Sequence, residues 1–415
     1  MPTIRKRGDT YQIRVSLGYD MKGKQIIKTT SYRPAPGMTK KQIEKELDRQ
    51  AVLFEDKYRS GMVIDGTVKF AQYADSWMSI NENNLSPTTY NRYISLLDRI
   101  NQAIGHIKLA ELRAHHLQEF YKNLSENGIN KRTGKTLSDK TTQHHHRLIS
   151  VMLGEAYKQG YVLRDVSTLA TPPKVKQKEV AYLDEGDVSK LHQALLQAPI
   201  KWKTALLLLL YTGLRRGELV GLEWPDIDFD GMTITIRRTV QYVTGPKYEY
   251  VDESGTLHKG QIIEKDPKTK SSARSIAVDA GVIALLREYR AWWLQQRLLN
   301  GDRWIDTNKL FIKENGGIMH PDSITDFTKK FIKANDLPYF TPHSLRHTNI
   351  SLMIAAGVDI KTVSSRAGHA NITTTGNIYT HQIQIANAKA AEKIGNILNL
   401  SQDEQSNQNT KPKQA

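Results

Sequence analysis

The chain has 415 residues, a length that predicts two or three domains and at least one sizeable core. Its 59 Lys and Arg residues outnumber its 43 Asp and Glu residues and give a net charge of +16, which favours a polyanionic partner such as nucleic acid or an anionic membrane surface. The lack of cysteine excludes disulfide scaffolds, thiolate metal sites and cysteine nucleophiles, and it fits a reducing cytoplasm. The N-terminus has no signal-peptide pattern and the longest apolar run, residues 205–210, is too short to span a membrane, so we expect a cytoplasmic protein.

The N-terminal region is strongly basic and has the pattern of a small sheet. Ten Lys and Arg residues stand among the first 43 positions, against two acidic residues. Apolar residues at positions 11, 13, 15 and 17 alternate with polar ones, which is the period of a half-buried strand. Thr39 and Gln42 form a capping-box pattern that predicts a helix to about Arg59. We therefore expect a first domain over residues 1–64, made of a basic β-sheet and one helix.

Helical patterns dominate the next hundred residues. Apolar side chains share one helix face after Val68, and the Ser86-Pro87 pair is typical of a helix start. Further helices are expected over about 114–124 and 138–159. These patterns predict a helical domain over residues 65–170, and the stiff Pro172-Pro173 pair with its basic neighbours predicts an exposed linker over residues 171–182.

The remaining sequence predicts a larger mixed domain over residues 183–400. A helix is expected from about Asp184 and an apolar one over Trp202–Tyr211, followed by strands near Thr233–Val240 and Ser275–Val278 and then mainly by helices. The polar residues 401–415 predict a disordered tail. The expected fold class is multidomain α+β: a small basic N-terminal β-sheet plus helix, a helical domain, and a mainly α domain with a small antiparallel sheet.

Two apparent motifs do not predict a ligand site. Residues 128–136 resemble a phosphate-binding loop, but five residues separate the glycines where the Walker pattern needs four, and no buried strand precedes them. Adjacent histidines at 115–116 and 144–146 point about 100° apart on a helix, so they cannot converge on one ion as an i,i+4 pair can. We expect surface histidines there.

Four segments of the third domain combine unusual residues in a fixed order. The run 211–219 takes an apolar helix into a glycine turn followed by an arginine, and the run 267–276 is a basic turn before a strand. A His-x-x-Arg pair falls on one helix face, and a Gly-His pair precedes a tyrosine by ten residues. The candidate site residues are, in chain order, Arg215, Lys270, His343, Arg346, His369 and Tyr379.

This ordered set resembles the catalytic signature of the tyrosine recombinases, the lambda-integrase-like family of phage and mobile-element integrases. The resemblance spans roughly residues 182–393, and the two upstream domains resemble the arm-binding and core-binding domains of such integrases. It implies a site-specific recombinase that cuts and rejoins DNA through a 3′-phosphotyrosine intermediate, with no cofactor, metal or ATP, and so integrates and excises a mobile element or prophage. A phosphoryl transfer without metal needs fixed cations, and guanidinium is suited to bidentate phosphate binding.

The resemblance implies a role for each candidate. It makes Tyr379 the nucleophile, and it makes Arg215 and Arg346 the pair that binds the phosphate. Lys270 is the general acid, with Lys268 as the alternative, and His343 is the proton acceptor. His369 is a phosphate ligand, and Glu218 is a buried partner that orients an arginine. Arg216 is expected to be a neighbour of the site, while His347 and His381 are left open. Two departures from the family pattern stand out, a long polar hairpin between Val240 and Lys265 and the Arg366-Ala367-Gly368 run where Leu-Gly is usual.

The expected partner is double-stranded DNA at core-type and arm-type sites, bound by a homotetramer with an excisionase or a DNA-bending protein as a further partner. Candidate arm-site contacts are Arg5, Arg7, Arg14, Lys24 and Lys28. A C-terminal helix over Ile383–Leu398 could pack in cis or on a neighbouring subunit. Two alternatives stay open: a type IB topoisomerase-like relaxase with the same chemistry, and a DNA-binding regulator whose catalytic residues are relics.

Overall fold

The computed structural model describes residues 2–19, 23–59, 66–130, 133–175, 181–252, 255–266, 273–379, 391–396 and 398. The chain divides into two compact units, Met1–Gln177 and Lys178–Ala415. The division falls inside the segment predicted to be a linker. The residues Lys268, Lys270 and His381, the tail and most of the predicted C-terminal helix lie outside the described part.

The first unit begins with a three-stranded antiparallel sheet and one helix. The strands β1 (Thr3–Arg7), β2 (Thr10–Tyr19) and β3 (Gln25–Tyr32) pair in sequence order, and helix α1 is Lys40–Arg59. The predicted alternation is confirmed, since Ile13 and Val15 are buried and Ile13 packs against Leu47 of the helix. The predicted cap of α1 is also confirmed: the backbone N–H of Thr39 donates to Oε1 of Gln42 at 2.9 Å.

Four helices follow in the first unit: α2 (Phe70–Asn81), α3 (Pro87–Ile104), α4 (Ala114–Asn127) and α5 (Asp139–Lys158). Their apolar faces form one core, Ser86 caps α3 as predicted, and Ser138 caps α5.

The histidines of α5 correct one prediction. The interpretation of residues 144–146 as surface histidines is wrong for His145, which is 1% exposed and hydrogen-bonded through Nδ1 to the Thr141 carbonyl oxygen at 2.9 Å. His146 contacts the Tyr121 hydroxyl through Nδ1 at 2.8 Å. The helix turns this short run partly inward because Phe120 and Tyr121 of α4 pack against it. Within the described residues, no group of three or more His, Asp or Glu side chains is placed to hold a metal ion.

The second unit is mainly helical. Its helices are α6 (Glu185–Leu196), α7 (Ile200–Thr212), α8 (Arg216–Gly221), α9 (Ala280–Asn300), α10 (Asp322–Ala334), α11 (Pro342–Ala355), α12 (Ile360–Ala367) and α13 (Ile372–Ile378). Helix α7 crosses the centre of the core, where Leu206, Leu208 and Leu209 are fully buried, which explains why it is apolar on nearly every side. No helix of the described residues is long and apolar enough to cross a membrane.

Small antiparallel sheets complete the second unit. The strands are β4 (Ile227–Asp228), β5 (Thr233–Ile236), β6 (Thr239–Thr244), β7 (Tyr250–Val251), β8 (Leu257–His258), β9 (Gly260–Lys265) and β10 (Arg274–Ala277). They form a three-stranded sheet in the order β10-β5-β4 and two-stranded pairs β6-β9 and β7-β8. The predicted fold class is thereby confirmed.

The single strand predicted over Thr233–Val240 is two strands in two sheets. The break falls at Arg237 and Arg238, whose guanidinium groups both pair with the buried carboxylate of Asp226, at 3.2 and 2.6 Å. At these two arginines, which pair with the buried carboxylate, the chain leaves the first sheet. A hydropathy pattern carries no information about such a contact.

Candidate active site

The turn between α7 and α8 positions Arg215. Helix α7 ends at Thr212 and is followed by Gly213, whose φ of 65° is left-handed and therefore favours glycine. A side chain there would also lie 2.7 Å from the Asn349 side-chain oxygen. Arg215 then caps α8, and Glu218 binds both its backbone N–H at 2.9 Å and its Nη1 at 2.7 Å. The Thr-Gly-Leu-Arg sequence thus ends one helix, starts another and fixes an arginine between them.

Arg346 is a buried cation held by backbone carbonyl groups. It is 2% exposed, and it donates to the carbonyl oxygens of Gly213 at 2.7 Å and Ala367 at 2.6 Å. Burial and the nearby Arg215 lower the pKa of Arg346 to about 10, so the guanidinium stays charged at neutral pH. Carbonyl dipoles orient the group without cancelling its net charge, which leaves that charge available to an anion.

Glu218 links two arginines from different elements. It is 5% exposed and accepts hydrogen bonds from Arg215 and from Nη2 of Arg274, the latter at 3.0 Å. Burial raises the pKa of Glu218, but the bonds and charges of Arg274 and Arg215 outweigh burial and lower it overall. Glu218 is therefore the ionised partner of Arg215, in the role that the sequence suggested.

Arg274 is a member of the site that sequence reasoning missed. Its side chain is 6% exposed, and besides Glu218 it binds the Arg366 carbonyl oxygen through Nε at 2.8 Å. It therefore joins the first residue of β10 to the end of α12. The available signal was an arginine four positions after Lys270, at the point where a basic turn becomes a strand.

Two guanidinium groups thus bond one carboxylate, and the charge of a third, that of Arg346, lies close enough to interact with Glu218 and Arg215. These four groups together carry an excess of two positive charges. Arg215 also reaches the Gly368 carbonyl oxygen at 3.1 Å, beside the Ala367 carbonyl that Arg346 binds. A cluster with this excess charge and fixed donors is suited to binding and stabilising a phosphodiester.

Two of the candidate histidines flank this cluster. His369 follows Gly368, whose φ of 68° is left-handed, and its Nδ1 lies 2.7 Å from the Thr375 hydroxyl. Burial together with Arg346 and Arg215 lowers the pKa of His369 to about 4. His343 lies on the first turn of α11, where the residue as a whole is exposed. Partial burial and Arg346 lower its pKa as well. The imidazole of His369 is therefore neutral at pH 7.

Tyr379 is buried directly after α13, where it is 1% exposed and packs with Ile350 and Val363. Its hydroxyl is hydrogen-bonded to Nδ1 of His347 at 2.5 Å. Burial raises the pKa of Tyr379, while the charge of Arg346 opposes that rise. The hydroxyl partner is thus a histidine that the sequence left open, and not His343.

The neighbouring sequence features also have defined places. Arg216 pairs with Asp322 and donates to the Thr325 hydroxyl at 2.8 Å, so it is engaged by α10 rather than by Glu218. Arg366, two residues before Gly368, donates to the Ala277 carbonyl oxygen at 2.9 Å and so ties α12 to β10. The long hairpin is β6 and β9 with the small β7-β8 pair at its tip.

The basic residues of the first unit divide between the two faces of its sheet. Arg14 is opposite Thr3, and Arg5 is opposite Gln12, which places both arginines on the exposed face. Arg7, also exposed, lies two residues beyond Arg5 and shares this face. Lys28 is opposite the buried Val15, on the face that α1 covers. Lys24 is exposed, just before β3.

Two family models match the sequence: "Phage integrase family" over residues 181–384 and "Phage integrase, N-terminal SAM-like domain" over residues 69–125. The chain is 28% identical to a tyrosine recombinase XerC-like protein of Caldanaerobacter subterraneus subsp. tengcongensis, over 95% of this chain and 98% of that protein. It is 23% identical to the ICEBs1 integrase of Bacillus subtilis, over 94% of this chain and 97% of that protein.

Solved structures agree with these matches at the level of the fold. The Tn1549 transposon integrase in complex with transposon right end DNA superposes with a TM-score of 0.62 at 22% identity, over 79% of this chain and 99% of that one. A lambda integrase dimer bound to a COC′ core site gives a TM-score of 0.50 at 15% identity, over 90% of this chain and 93% of that one. The resemblance drawn from the sequence is confirmed.

Proposed function

Because this chain belongs to the phage integrase family of tyrosine recombinases, we propose that it is a site-specific DNA recombinase that integrates and excises a mobile element or prophage. Its relatives of nearly full length are named as a tyrosine recombinase and an integrase. The observation that carries the proposal is the cluster of Arg215, Arg274 and Arg346 around one buried carboxylate, close to a buried tyrosine.

In the proposed reaction the Tyr379 oxygen attacks a DNA phosphorus and forms a 3′-phosphotyrosyl bond, while the bond from phosphorus to the 5′-oxygen breaks. Arg215 and Arg346 hold the non-bridging oxygens, where negative charge accumulates in the transition state. His369 donates a further hydrogen bond to the phosphate. Lys270, assigned from the sequence, gives its proton to the leaving 5′-oxygen.

The second half of the reaction reverses the first. A 5′-hydroxyl from a partner strand attacks the phosphotyrosyl bond and releases Tyr379, so the energy of the broken bond is kept and no ATP is consumed. The guanidinium groups supply the charge stabilisation that a metal ion supplies in other phosphoryl transfers. We therefore propose a reaction without a metal requirement.

The DNA partners are proposed from the distribution of charge. Arg5, Arg7 and Arg14 form one exposed face of the N-terminal sheet, which we assign to phosphate contacts at accessory arm-type sites, with Lys24 at its edge. Residues 65–170 and the catalytic region would hold the core-type site. A homotetramer on DNA and an excisionase or DNA-bending protein belong to the same proposal, as does a C-terminal helix that packs in cis or in trans.

The first test uses nicked duplexes that cover the DNA flanking the gene of this protein, incubated with the full chain in EDTA. We expect a covalent protein–DNA band on a denaturing gel that the Tyr379→Phe variant does not form. Supercoil relaxation without any joined products would indicate a relaxase instead. Specific DNA binding with no covalent band on linear or supercoiled DNA would indicate a DNA-binding regulator.

A further inference from the structure

The Tyr379 hydroxyl has a histidine partner that comes from the same helix as the phosphate-binding arginine. His343, Arg346 and His347 lie at i, i+3 and i+4 on α11, so they share one face of the helix. Of these, His347 contacts the tyrosine, with Nδ1 2.5 Å from the hydroxyl oxygen. The ring of His343 stands at 84° to that of His347, with centroids 4.6 Å apart.

The protonation state of His347 suits a proton acceptor. Burial, His343, Arg346 and His369 lower the pKa of His347 to about 4, so the ring is neutral at physiological pH. A neutral imidazole has one acceptor nitrogen, and the tyrosine O–H is a donor to Nδ1 when the tautomer carries its proton on Nε2. A bound phosphodiester adds negative charge beside Arg346, which opposes the effect of that arginine and makes His347 more basic when substrate is present.

We propose that His347, rather than His343, takes the proton of Tyr379 as the hydroxyl attacks the phosphate, an inference that rests on the recombinase function proposed above. The O–H bond of Tyr379 breaks and its proton moves to Nδ1 of His347, the new bond joins the tyrosine oxygen to phosphorus, and the 5′-oxygen leaves with a proton from Lys270. In the ligation step His347 returns its proton to the tyrosine oxygen, and the attacking 5′-hydroxyl returns a proton to Lys270. His347 is thus a catalytic residue, and His343 is left to bind the phosphate and to pack against His347.

The test is single-turnover cleavage of a nicked duplex carrying the exchange site, with the variants His347→Asn and His343→Asn. Asparagine keeps a polar atom near the position of Nδ1 and preserves the packing, but it cannot take up a proton. We expect His347→Asn to cleave about 10²-fold more slowly or worse, with a rate that rises with pH where the wild-type rate is flat. DNA binding and the thermal midpoint should match those of the wild type.

A substrate with sulfur in place of the bridging 5′-oxygen separates the base from the acid. Sulfur leaves without a proton, so this substrate should restore cleavage by Lys270→Ala but not by His347→Asn. Cleavage by His347→Asn at the wild-type rate, with a slow His343→Asn, would overturn the assignment. Faster cleavage by His347→Asn would instead make the contact a restraint on the tyrosine. If the wild type forms no Tyr379-dependent covalent band, the proposed function itself fails.

Discussion

Arginine is placed in opposite environments in the two units of this protein. In the second unit Arg346 is 2% exposed, and two of its nitrogens donate to the carbonyl groups of Gly213 and Ala367. In the N-terminal sheet Arg14 lies on an exposed face, among small polar residues of the neighbouring strands. Both residues are proposed to meet DNA phosphates.

The difference predicts which arginines act on the reaction and which contribute to DNA binding alone. A buried guanidinium loses its hydration, and it is tolerated here because carbonyl groups and Glu218 are fixed around the cluster before DNA arrives. Such a charge needs no reorganisation at the transition state. An exposed arginine keeps its water and its freedom, so its contribution is to binding and depends on salt.

The largest expected effect separates two adjacent residues, Arg215 and Arg216. We expect Arg215→Ala to slow cleavage of the nicked duplex about 10²–10³-fold, because it removes a donor to the transition-state oxygens. Arg216→Ala removes a contact to Asp322 and Thr325 on α10 and should cleave within about threefold of the wild type. The measurement is the single-turnover rate at saturating protein. Equal losses in both variants would contradict the division between fixed and peripheral arginines.

A variant of Arg274 tests whether the cleavage rate also depends on residues that hold the site together without contacting DNA. It binds Glu218 and the Arg366 carbonyl oxygen, so we expect Arg274→Gln to let Arg215 and the Gly368-His369 turn move. Cleavage should slow about 10–100-fold while DNA affinity changes little, and Arg274→Lys should restore part of the rate.

Arg237 provides the matched control for that variant, because it is 61% exposed and forms an ion pair with Asp226 at the end of β5. Arg237→Gln should leave the cleavage rate nearly unchanged. A loss of DNA affinity equal to the loss of rate in Arg274→Gln would instead make Arg274 a direct phosphate ligand.

The sequence predicted the residue types of the candidate site more fully than the contacts between them. Glycine turns, a capping pattern and the order of Arg, His-x-x-Arg, Gly-His and Tyr are local signals, and the helices and turns that hold them formed near the predicted positions. Arg274 was missed and His347 was left open because their contacts join residues 56 and 32 positions apart. No local pattern distinguishes His347 from His343, which lies on the same helix face.

The histidines beside the arginine cluster should make the second unit sensitive to acid. The pKa of His347 and His369 is about 4 in the folded chain, against an ordinary 6.5, so below pH 6.5 the unfolded chain takes up protons that the folded chain refuses. Stability should therefore fall as the pH is lowered from about 6.5 towards 4. Glu218, with its lowered pKa, adds a further loss at more acid pH, as the carboxylate is protonated.

Tryptophan fluorescence can follow this loss, because five of the six tryptophans lie after residue 200. We expect the urea midpoint to decrease between pH 7 and pH 5, and the double variant His347→Asn, His369→Asn to show a shallower decrease. An unchanged pH slope in the double variant would assign the acid sensitivity to other groups.

The smallest expected effect lies on the N-terminal sheet, where single arginines contribute to binding alone. Arg14→Ala should weaken binding to arm-type DNA several-fold and reduce the slope of log affinity against log salt by about one, because one phosphate contact is lost. Lys28→Ala removes the same charge from the face that α1 covers, opposite Val15, and should change both quantities less. Neither variant should alter the rate of cleavage at a core-type site, because neither side chain belongs to the fixed cluster. Equal weakening by the two variants would show that net charge, rather than the exposed sheet face, attracts the DNA.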